Sequence, residues 1–126
     1  LGILIGSDSW YPDNYRKLNE QGAQLVAVPA FVIGRETWDK PWRGFKSVST
    51  PAEISLKPEE LSEGEAWHRL TLISQQPISQ ATAGMSVFLR GQFFDMGSAG
   101  QSFLSSNGQV FADGNARGAR LLNVWL

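Results

Sequence analysis

The chain has 126 residues, 42% of them apolar, and a formal net charge of −1. That suits one globular domain with one core and gives no electrostatic reason to expect nucleic acid or an anionic membrane surface as a partner. With no cysteine, the chain has no disulfide, zinc–thiolate site or thiol nucleophile of its own.

Leu1–Ile5 is apolar but too short for a signal peptide core, and no apolar run reaches the roughly 20 residues of a membrane helix. The expected location is cytoplasmic, although the lack of cysteine leaves the redox compartment open. The five Trp enrich either a core or an interface.

Ile3–Ile5 reads as a buried strand, Ser7–Pro12 as a turn, and Asp13–Gln21 as a helix with Tyr15 and Leu18 inward. Pro12 suits the first helical turn, and Gly22 caps the end. Leu25, Val26 and Val28 form the next strand, which Pro29 closes. This spacing predicts a right-handed crossover between parallel neighbours. A chain that opens on a strand is expected to be part of a longer protein, with further strands of the same sheet upstream. Residues 30–57 carry Phe31, Trp38, Trp42 and Phe45 among Gly and Pro, and read as a long loop that is functional or interface-forming.

Ser62-Glu-Gly-Glu65 matches a capping box and predicts a helix over 63–76, with Trp67, Leu70 and Ile73 or Ser74 inward. Ser79–Ala83 and Ser86–Leu89 read as short strands, and Gly91–Gly100 as a glycine-punctuated loop. No Lys follows those glycines as in a phosphate-binding loop. Gln101–Ser105 and Gln109–Ala112 flank Asn107-Gly108, a two-residue hairpin signal. Asp113-Gly114 reads as a turn, and Ala119–Trp125 as a last strand.

Ile5-Gly6-Ser7-Asp8-Ser9-Trp10-Tyr11-Pro12-Asp13 resembles the nucleophile segment of the nitrilase, or carbon–nitrogen hydrolase, superfamily, in which a strand ends in Ile-Cys-x-Asp-x-x-Phe-Pro-Glu. Later segments are similar in order and spacing: Trp67-His-Arg-Leu70, Gln80-Ala-Thr-Ala-Gly84, Gly100-Gln-Ser102 and Ser105-Ser-Asn-Gly108. The resemblance implies an α/β fold of the α-β-β-α sandwich type, of which this chain is the C-terminal half. It implies a Glu-Lys-Cys hydrolase of amides, nitriles or N-carbamoyl compounds that uses no metal or organic cofactor. The Glu and Lys would lie upstream of Leu1, and the cysteine position is Gly6. All three catalytic roles are therefore empty, and the chain alone is expected to be inactive. Its expected partners are the missing N-terminal half, a small amide or nitrile substrate, and further copies in a homo-oligomer.

Each candidate also has a plainer role. Gly6 serves a tight turn with positive φ. Ser7 lies between a strand and a helix, as a nucleophile elbow does, but the flanks are not Gly-x-Ser-x-Gly. A Ser7–His68 pair oriented by Asp8 competes with Asp8 as an acceptor for turn amides and His68 as a packed helix residue. Asp8 and Asp13 offer an acid/base or Mg²⁺ pair, against Asp13 as a favourable charge at a helix start. Trp10, Tyr11 and Asp13 are candidates to line a pocket. Trp38 and Trp42 suit packing or subunit contact. A second reading keeps the sandwich as a non-catalytic binding or oligomerisation module, supported by exposed aromatics in the 30–57 loop.

Overall fold

The computed structural model describes residues 1–45, 49–75, 77–112, 114, 121–123 and 125. The fold is mixed α/β, with two helices of at least eight residues and two sheets among them.

Strand β1 (Gly2–Ile3) ends in a short 3₁₀ turn, Gly6–Trp10, that leads straight into helix α1 (Pro12–Glu20). Pro12 occupies the first turn of α1, where its missing N–H costs nothing. Gly22 follows the helix with φ +71, a backbone that glycine adopts freely, and the Leu18 carbonyl accepts from Ala23 at 3.0 Å. Strand β2 (Leu25–Ala30) then lies parallel to β1, as the spacing predicts.

Pro29 does not close this strand. The Ala27 carbonyl accepts from Leu4, so alternate residues of β2 turn their backbone groups to the β1 side. By Pro29, β1 has turned away, and no donor is required there.

Strand β3 (Val32–Ile33) leaves the sheet, and an irregular segment carries the chain to helix α2 (Glu63–Leu70). The capping box is formed in full: Glu65 N–H donates to Ser62 Oγ, and Ser62 N–H donates to Glu65 Oε2 at 2.8 Å. The helix is shorter than expected. Leu72 takes a left-handed φ of +56 and gives its N–H to the buried Tyr15 hydroxyl at 3.1 Å. A 3₁₀ turn, Leu72–Gln75, follows. Ser74 is exposed, while the Ile73 side chain and Gln76 lie outside the described residues.

Strand β4 (Ala83–Phe88) replaces the two short strands expected, because it pairs with β2 along all six residues. The expected loop at 91–100 is a hairpin of β5 (Gln92–Phe93) and β6 (Met96–Ala99), and β6 also pairs with β3. Strands β7 (Phe103–Ser106) and β8 (Gln109–Ala112) form the expected hairpin, with Asn107 and Gly108 at φ +47 and +81. Asp113 of the expected turn lies outside the described residues. So does most of the expected strand over 119–125, whose described residues are in no strand.

The main sheet runs β1-β2-β4-β7-β8, parallel over the first three strands and antiparallel after them. Two right-handed crossovers stepping the same way along a sheet put both helices on one face. Burial follows that rule. Leu4, Val26, Val28, Phe88 and Phe103 are buried with Tyr15 of α1 and Trp67 and Leu70 of α2.

The other face is open. Registered rows across it are Ile3–Ala27–Met85–Leu104–Phe111 and Pro29–Val87. Leu1, Ile3, Ile5, Val87, Leu89 and Phe111 are all exposed, and no charged side chain interrupts these rows.

Candidate functional site

The turn after β1 is a tight strand-to-helix elbow. Ile5 is extended, Gly6 swings to φ +56, and the Ile5 carbonyl accepts from Asp8 N–H at 3.2 Å. A left-handed backbone disfavours any residue with a Cβ, which is the local reason for glycine here. Space is not the reason: a Cβ built on Gly6 meets nothing within 4 Å.

Gly6 also lines a cleft of about 850 Å³. The elbow (Ile5, Gly6, Ser7), Trp10 and Tyr11 line one side, Lys40, Pro41 and Arg43 to Phe45 another, and Glu59, Glu63 and Trp67 a third. The aromatic wall is a set of edge-to-face pairs. Trp10 lies 5.0 Å from Trp67, 5.7 Å from Phe45 and 5.9 Å from Trp42, and Tyr11 lies 5.3 Å from Phe45. Such pairs hold their rings in fixed positions, so the wall is preformed. Lys40, Arg43, Glu59 and Glu63 add charge to the lining, and Glu63 accepts from Trp67 Nε1 at 3.2 Å. Glu59 holds a left-handed φ of +67.

Ser7 is exposed and lines the cleft, whereas His68 does not. His68 lies half-buried on the far flank of α2, with its ring 4.6 Å from Phe103 and 6.0 Å from Trp38. Burial lowers its pKa below the ordinary imidazole range. The structure does not bring Ser7 and His68 together.

The Asp8 side chain is exposed. Its main-chain carbonyl, rather than its carboxylate, organises the turn by accepting from Tyr11 N–H at 3.3 Å and Asn14 Nδ2 at 2.9 Å. Asp13 stands outside the cleft, in the first turn of α1, ion-paired with Arg16, which also holds Glu53 at 2.8 Å. Trp42 is buried and Trp38 half-buried against Phe88. The aromatics of the 30–57 loop therefore turn inward. Phe93 and Phe94 are exposed at the tip of the β5–β6 hairpin, whose residues do not line the cleft.

Phe45, Trp67, Arg43 and Glu59 were not expected at the site. Each comes from a segment more than thirty residues away from the elbow, and no local spacing marks such a meeting. Among the described residues no group of three or more His, Cys, Asp and Glu is placed to hold a metal ion, and no helix is long and apolar enough to cross a membrane. No protein-family model, curated protein or solved structure matches the chain.

Proposed function

We propose that this chain is the C-terminal part of a cytoplasmic carbon–nitrogen hydrolase-like domain whose parent protein cleaves amides, nitriles or related non-peptide C–N bonds. The observation that carries the reading is the elbow. The position aligned with the family's cysteine sits on a left-handed backbone between a strand and a helix, and it opens into an aromatic cleft with room for a side chain. A nucleophile placed there would meet a bound substrate. With glycine in that position the chain supplies no attacking atom and is inactive by itself. The general base and the cation for the tetrahedral intermediate would come from the domain's other half.

The open sheet face supports the α-β-β-α sandwich. Helices cover one side of the main sheet, and the other side presents uncharged apolar rows suited to a second sheet packed about 10 Å away. The same face favours a second reading, a non-catalytic module that binds a partner or forms homo-oligomers through its sandwich faces.

The test is Gly6→Cys in the longest native polypeptide that carries this chain, with ammonia release from small amides as the readout. A rise over the Gly6 protein supports a silenced hydrolase. No rise in a folded, soluble variant overturns that reading in favour of the binding module.

A further inference from the structure

The elbow is tied to the end of α2 by two buried hydroxyls. Ser9 Oγ donates to the Gly6 carbonyl at 2.8 Å and lies 3.2 Å from Thr71 Oγ1, and neither Ser9 nor Thr71 is exposed at all. A serine has one proton to give, so with it committed to Gly6 the Thr71 hydroxyl is the donor to Ser9. Thr71 is itself the residue at which α2 ends, and its neighbour Leu72 is held by Tyr15 of α1. The relay therefore runs from the end of α2 through Thr71 and Ser9 to the carbonyl of the left-handed residue of the elbow.

A trans peptide is planar, with its carbonyl and N–H on opposite sides. Holding the Gly6 carbonyl fixes the Gly6–Ser7 peptide, the Asp8 N–H bond to the Ile5 carbonyl fixes the peptide before it, and the two together set the direction in which a Cβ at position 6 leaves the backbone. The donor of the Ser9–Gly6 bond is fully buried while Gly6 itself borders the cleft, so the bond holds the left-handed conformation from the protein side.

We propose that Ser9, oriented by Thr71, is the positioning residue that holds the elbow in its left-handed state and aims position 6 into the cleft. The importance given to position 6 rests on the hydrolase reading, but the test requires no hydrolysis, so the two can fail separately.

Hydrogen exchange is measured on the chain carrying Ser9→Ala, Thr71→Val or Thr71→Ser. Ser9→Ala and Thr71→Val should speed exchange of the Asp8 and Tyr11 amides about fivefold more than that of the β2–β4 amides, and Thr71→Ser, which keeps the hydroxyl, should restore protection. The same substitutions are then placed with Gly6→Cys, and alkylation of the introduced thiol by iodoacetamide is timed. Ser9→Ala should slow it about fivefold, with Thr71→Ser close to the parent. Exchange that rises uniformly across the sheet and the elbow would mean that Ser9 only stabilises the fold, and alkylation within twofold of the Gly6→Cys parent would overturn the proposal as well. Failure of the hydrolase reading looks different: the alkylation contrast persists, and no ammonia is released from amides.

Discussion

Ile3→Lys with Val87→Lys perturbs the open sheet face without touching the core. Ile3 is 57% exposed and Val87 49% exposed, on the face that carries neither helix. Complete burial of such a side chain contributes about 1.5–3 kcal/mol, so covering the exposed half of each would contribute about 1 kcal/mol. When two copies associate through this face, four such side chains are lost, about 4 kcal/mol, which corresponds to a roughly 900-fold weaker association. Desolvating two lysines makes the loss larger. Folding stability should change by no more than about 0.5 kcal/mol per site, because neither side chain is buried in the free chain.

The assays are sedimentation equilibrium for self-association, binding of the apolar dye anilinonaphthalene sulfonate, and urea unfolding as the control. The chain should bind dye and associate with increasing concentration, and the double variant should do both markedly less at an unchanged unfolding midpoint. A chain that stays monomeric and binds no dye would refute the reasoning. So would a double variant that associates as strongly as its parent.

Two further predictions concern a buried or half-buried group on each helix. Tyr15→Phe removes the acceptor of the buried Leu72 N–H and should destabilise the fold by about 1–3 kcal/mol in urea denaturation, the range for an orphaned buried donor. His68 has its folded pKa depressed by burial, so the unfolded chain binds the proton more readily. Its contribution is fully present above the ordinary imidazole pKa and is lost as pH falls from there through the lowered folded value. Unfolding free energies measured across that window should decline for the native chain, and the decline should vanish in His68→Phe. A native curve that rises towards acid would contradict the burial of His68 against Phe103.

What was legible in the sequence is local. The cap at Ser62 and Glu65, the Gly22 stop, Pro12 at a helix start and the Asn107–Gly108 turn each involve residues within five positions of one another, and all are found as read. The apolar Leu25, Val26 and Val28 likewise marked a strand. The errors lie where a distant partner overrides local preference. Residues 83–88 form one strand because β2 offers six consecutive partners, and Gly84, a poor strand residue by itself, is carried along. Helix α2 stops at Leu70, where the Thr71 side chain is engaged by Ser9 and the Leu72 N–H is taken by Tyr15, fifty-seven or more residues earlier in the chain. The glycines of 91–100 marked a loop, yet Ser98 bridges both backbone groups of Gly91 and closes a hairpin.

The same division governs the site. The order of residues alone determined that the chain lacks a thiol, that Gly6 follows an apolar strand, and that a helix begins within a few residues of it, since covalent succession settles all three. Only the tertiary structure decided that Trp10, Phe45 and Trp67 form one wall, that Asp13 points elsewhere, and that His68 is withdrawn from Ser7. It also decided that both helices lie on one side of the main sheet, leaving the other side bare. Side chains distant in sequence meet only after the crossovers have chosen a face, and that choice is made by strand order and handedness rather than by any short stretch of residues.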